Sequence, residues 1–197
     1  LAQSVLELEC DKLASNRLWN LGAGSATGIL AWASIRNQDY DEARSRYLRA
    51  MEFRKVANDP VGMWMAKLGE GNAHFLQKTW DQAARIYEEV AGELSNLGFR
   101  HGAAQARVNL AEALLMMDEP QKVILLLEEV ESTLRSLKAH SHVVELLRIR
   151  TEALLSLDCA KEGIPHVEEA LRIAQERDFQ HAMASLQELQ KRCTQAL

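Results

Sequence analysis

Six histidines, three cysteines and a cluster of glycines are the residues of this 197-residue chain whose types could support catalysis or ligation. His74, His101, His140, His142, His166 and His181 form neither an H-E-x-x-H segment nor an i, i+4 pair, the spacing that sets two imidazoles around one metal on a helix face. Cys10, Cys159 and Cys193 are odd in number and lack a C-x-x-C pair, which argues against a zinc site and a disulfide framework and suits a reducing compartment. Gly22, Gly24 and Gly28 invite comparison with a phosphate loop, but no strand precedes them and no Lys-Ser/Thr follows. No nucleophile, base and orienting group come together. The chain is therefore expected to be no enzyme and to need no metal and no cofactor.

The elements around these residues are helical. Ten Gly and three Pro are too few to punctuate a β-sandwich, and Ala, Leu, Glu, Arg and Gln dominate the stretches between them. A net charge of -5, with 47% hydrophobic and 26% charged residues, fits a folded domain and gives no basic excess for nucleic acid. The densest basic cluster, Arg44, Arg46, Arg49, Arg54 and Lys55, is interleaved with Asp39, Asp41, Glu42 and Glu52, the pattern of a solvated helix face. Apolar runs such as Val123 to Leu127 are far short of a bilayer span, and residues 1–10 lack the form of a signal peptide. A cytoplasmic setting without membrane contact is expected. The first residue, Leu1 rather than Met, suggests a processed protein or a fragment of a longer chain.

The chain aligns with itself at a shift of 40 residues. Ala33, Ala73, Ala113 and Ala153 share one register; Ala43, Ala83, Val123 and Gly163 share another; Tyr47, Tyr87, Leu127 and Val167 a third. Cys10, Ala50, Val90, Val130 and Ala170 carry the pattern back into the first residues. Polar breaks recur at Asn37-Gln38-Asp39, Asn58-Asp59-Pro60, Lys78-Thr79, Asn96-Leu97-Gly98, Asp118-Glu119-Pro120, Lys138-Ala139-His140-Ser141, Asp158 and Arg177-Asp178, with Pro120 suited to a first turn and Asp118 or Asp158 to capping. The columns predict one repeat domain over 1–197: a half repeat at 1–18, helix pairs at 22–57, 61–97, 100–137 and 141–177, and a capping helix at 180–195. No single pair buries its own apolar stripe, so stacking supplies the core.

Asn37 to Ala43 with Tyr47 and Ala50, Thr79 to Ala83 with Tyr87, and Asn109 to Leu114 resemble the helix-turn-helix of the tetratricopeptide repeat (TPR) family, over nearly the whole chain. The period of 40 is similar to that of kinesin light chains and of the sensor regions of large bacterial transcription activators and signal-transduction ATPases. The aromatic expected early in the first helix is absent at Thr27, Lys67 and Arg107. The resemblance implies an all-α, right-handed α-solenoid of antiparallel helix pairs; a HEAT-like solenoid is the structural alternative.

The resemblance further implies that the first helix of each pair lines a concave groove that binds a protein or peptide segment. Carried over by position, the groove presents Trp32 and Ile35; Met65, Leu68, Asn72 and Phe75; Gln105, Val108, Glu112 and Leu115; and Glu145, Arg148 and Glu152. Leu68 stands where some members place a Lys that grips a terminal carboxylate, so that clamp is not expected. Glu145 and Glu152 lie at helical spacing to Arg148 and are expected to neutralise it. Glu88-Glu89, Glu128-Glu129 and Glu168-Glu169 form an acidic ridge on the second helices. The expected role is a non-catalytic scaffold for protein binding, with a regulatory sensor domain of a larger regulator as the alternative and self-association through the N-terminal half repeat as a further possibility.

Overall fold

The structure is a computed structural model that describes the backbone of residues 2–197 and the side chains of residues 16–197. Nine α-helices and no strand occur among the described residues: α1 (Ala2–Arg36), α2 (Tyr40–Val56), α3 (Pro60–Leu76), α4 (Trp80–Asn96), α5 (Arg100–Met116), α6 (Pro120–Ser136), α7 (His140–Ser156), α8 (Ala160–Glu176) and α9 (Gln180–Gln195).

The links from α1 to α9 share one backbone solution. Their middle residues, Gln38, Asn58, Lys78, Gly98, Asp118, Lys138, Asp158 and Asp178, all have positive φ, between 51° and 71°. The next amide then reaches back five residues, as from Asp39 N to Ser34 O at 2.9 Å and from Phe179 N to Ala174 O at 2.8 Å. This is the closure that satisfies the last carbonyls of a helix. Asp118 and Asp158 were expected to cap the following helices; they take the left-handed position instead, and the capping residues Glu119 and Cys159 make no side-chain cap bond. Asp39 and Asp59 do cap, accepting from Glu42 N at 3.2 Å and Gly62 N at 2.9 Å. Pro60 and Pro120 sit in first turns, where no amide is missed.

One expectation is overturned: residues 1–18 and the helix from 22 are not separate, because α1 runs unbroken over Ala2–Arg36. In the register where the other links turn left-handed stands Leu18, and a branched apolar side chain is poorly suited to an exposed left-handed turn. Gly22, Gly24 and Gly28 are absorbed as helical residues. The side chain of Cys10, and with it the first member of its column, lies outside the described residues.

Contacts group the chain into two compact units, Leu1–Ile86 and Tyr87–Leu197, where a single domain was expected; helix pairs touch mainly their neighbours, so such arrays divide readily. In the first, α1 packs on α2 and α3, and α2 on α3. In the second, α5 packs on α6 and α7, α6 on α7, α7 on α8 and α9, and α8 on α9. The small columns lie in these contacts: Ala43 and Ala73 in the first unit, and Ala113, Val123 and Ala153 in the second, are fully buried. Val130, Leu134, Leu146, Leu147 and Ile149 fill the second core. On α9, Leu186, Leu189 and Cys193 face inward while Gln187, Glu188, Lys191 and Arg192 are exposed, the division expected of a terminal helix.

Candidate binding surfaces

In the first unit, two of the expected groove residues meet. Trp32 of α1 and Met65 of α3 line one cavity of about 420 Å³, together with Ile29 and Tyr47. Trp32 is 56% exposed and Ile29 68%, so a large apolar surface is left wet. Gly24 and Gly28 of α1 and Gly62 of α3 also line the cavity; a β-carbon at Gly28 would meet nothing within 4 Å, while one at Gly24 would meet Arg54 Nε at 2.9 Å. Arg54 is fixed beside it, donating to Asp59 Oδ2 at 2.6 Å and to Ser25 Oγ at 2.7 Å. Arg36 stacks over the Trp32 ring at 5.3 Å, a favourable cation–π distance. Asn72, Phe75 and Ile35 are half-buried.

Leu68 was expected on the binding surface and is not there: at 2% exposed it is a core residue of α3. Val108 of α5 is likewise buried, in contact with the core around Ala104 and Ala111. Both share a register that faces the neighbouring helix, so interhelical packing, not solvent, consumes these side chains. The basic cluster on α2 is also more than a solvated face. Arg46 donates to Leu30 O at 3.1 Å and Arg54 reaches Ser25, which ties α2 to α1.

In the second unit, Glu112, Glu145, Arg148 and Glu152 form one network. Arg148 Nη1 donates to Glu152 at 3.0 Å, Nη2 to Glu112 at 2.5 Å and also to Glu145. Burial lowers the Arg148 pKa, but the bonds and charges of the three carboxylates outweigh it and hold the guanidinium firmly charged. Burial raises the Glu112 pKa, opposed by Arg148 and assisted by Glu145 and Glu152. Three carboxylates on one cation leave an acidic patch, next to a pocket of about 180 Å³ that Phe179 and Leu186 also line. Gln105 and Leu115 are half-buried.

Glu88, Glu128, Glu129 and Glu168 of the acidic ridge are exposed. Glu169 is not a free member, because Arg135 holds both its oxygens at 3.0 Å. Two arrangements escaped the sequence. The rings of His101 and His142 stand edge to face at 5.1 Å, and burial followed by the His101 charge lowers the His142 pKa. Arg150, in a column with Leu30, Glu70 and Leu110, is 7% exposed and bonded to Glu131 at 2.5 Å. Among the described residues no group of three or more His, Cys, Asp or Glu is placed to hold a metal, and no helix is long and apolar enough to cross a membrane.

Successive helix pairs joined by short left-handed links define an all-α, TPR-like repeat fold of the solenoid class. Two solved structures of a putative kinesin light chain from Podosopora anserina, with nearly identical TPR-like repeats, superpose with TM-scores of 0.67 and 0.66 at 16% identity, covering 87% of this chain and 85% of theirs. The apo form of RapI superposes with a TM-score of 0.62 at 11% identity, over 91% of this chain and 70% of its own. No protein-family model and no curated protein matches the sequence.

Proposed function

We propose that this chain is a non-catalytic protein-interaction module that binds a protein or peptide segment against the first helices of its pairs. The observation that carries this is the meeting of Trp32 and Met65 in one apolar, glycine-lined cavity in the first unit. A large aromatic left 56% exposed beside a concave apolar surface is the arrangement of an interface anchor, because covering it removes unfavourable apolar hydration. Arg36 and Arg54 at its edge supply the polar contacts that orient a ligand backbone or carboxylate. The acidic network around Arg148 favours a basic stretch in the second unit, since its single cation is already engaged by three carboxylates.

Affinity capture from native lysate with the wild-type chain, Trp32→Ala and Glu129→Lys in parallel tests this. Proteins retained by wild type and Glu129→Lys but lost with Trp32→Ala are expected, at unchanged helicity. Retention that follows Glu129 and ignores Trp32 would move the binding surface to the acidic ridge.

A further inference from the structure

A cavity of about 330 Å³ opens in the second unit where α6, α7 and α8 meet. Its deepest charged residue is Arg150, 7% exposed, whose Nη1 donates to Glu131 Oε2 at 2.5 Å. Arg150 Nε and Nη2 are closed to solvent and donate to no acceptor. Glu131 is already occupied, since it also accepts from Arg135 Nε at 2.8 Å. Buried donors without partners are costly, and on a guanidinium more so.

At the mouth the charges are reversed. Glu128 and Glu162 are exposed and form no ion pair among the described residues. Ile124 and Leu154 supply an apolar wall, and the ring of His166, its pKa lowered first by burial and then by Arg150, completes the lining. A simple anion would be repelled by the carboxylates at the mouth. A simple cation would leave Arg150 unsatisfied. A ligand that carries both an acceptor and a cation answers both demands.

We propose that this cavity binds a small zwitterion, a free α-amino acid with an apolar side chain. The carboxylate accepts side-on from Nε and Nη2 of Arg150, which turn toward the cavity on ligand entry, in the two-bond geometry that guanidinium and carboxylate favour. The ammonium faces Glu128 and Glu162, and the side chain packs on Ile124 and Leu154. The volume is at the small end of ligand sites, which run from about 300 Å³ upward. The site shares no residue with the cavity around Trp32, so it stands or falls independently of protein binding there.

Titration calorimetry of the 197-residue chain with L-leucine, L-leucinamide and N-acetyl-L-leucine tests the proposal. L-leucine is expected to bind with a dissociation constant of about 1 mM or tighter, and the amide, which lacks the carboxylate, and the acetyl derivative, which lacks the cation, at least about tenfold more weakly. The double variant Glu128→Gln with Glu162→Gln, on exposed positions and therefore well folded, should weaken L-leucine by about tenfold and leave N-acetyl-L-leucine no weaker. Equal binding of the three probes, an unchanged affinity in the double variant, or no heat with L-leucine would each overturn it.

Discussion

The ring of Tyr47 on α2 occupies the space above Gly69 on α3: a β-carbon at Gly69 would fall 2.3 Å from Tyr47 Cε1. Tyr47 is 7% exposed, and burial pushes its pKa up. Tyr47 thus inserts a knob into a hole that only glycine leaves open.

This makes two glycines on neighbouring helices respond in opposite ways. Gly69→Ala forces the Tyr47 ring to move and should cost about 1–3 kcal/mol, read as a lower melting temperature. Gly28→Ala meets nothing within 4 Å and gains helix propensity, so it should stabilise by about 0.8–1 kcal/mol. Equal shifts of the same sign would show that Tyr47 does not pack as described.

The left-handed links give a second test. Gln38 (φ 61°) and Lys78 (φ 65°) hold a conformation that costs an L-residue about 1–2 kcal/mol relative to glycine. Gln38→Gly and Lys78→Gly should each raise the urea midpoint, less than that full amount because glycine also loosens the unfolded chain. Gly98→Ala, at φ 71° with open space around it, should lower the midpoint through backbone strain alone.

Which parts of this structure can be read from sequence follows from how locally each is determined. The links were legible because polar residues interrupt the columns at Asn37, Asn58, Lys78 and Asp118. The continuity of α1 through Leu18 was not, since it depends on a turn signal being absent where the repeat pattern asks for one. Trp32 and Met65 could be placed on facing helices from their register. Leu68 and Val108 could not be assigned to solvent or core, because one helical step separates the two and the crossing of neighbouring helices decides it. The Arg150–Glu131 pair joins residues of different helices at no repeating interval, so no column announces it.

The alanine column supplies a third prediction, on the packing within the second unit. Ala113 is fully buried on α5. Ala113→Phe adds a ring at a fully buried position and should cost about 1–3 kcal/mol, with a drop in melting temperature at unchanged helical signal in the folded state. An unchanged melt would mean that this column does not set the helix approach.

Two carboxylates of the second unit should respond to pH in opposite directions. Burial tends to raise the Glu131 pKa, but hydrogen bonds from Arg150 and Arg135 prevail and hold it below the ordinary carboxylate value. The unfolded chain then binds this proton more tightly, so the stability Glu131 contributes is present above the ordinary value and is lost as pH falls through its depressed folded value. For Glu112 burial prevails, and its pKa is raised. Here the folded chain binds the proton more tightly: the contribution is full below the ordinary value and is lost as pH rises through the folded one. Urea midpoints of wild type, Glu131→Gln and Glu112→Gln across acid pH separate the two. The deficit of Glu131→Gln relative to wild type should shrink as the solution is acidified, while Glu112→Gln should improve relative to wild type as pH rises through the window above the ordinary value. Constant offsets, such as the loss of a bond to Arg148, cancel in this comparison. A difference from wild type that does not change with pH would show that neither carboxylate titrates in the environment the fold gives it.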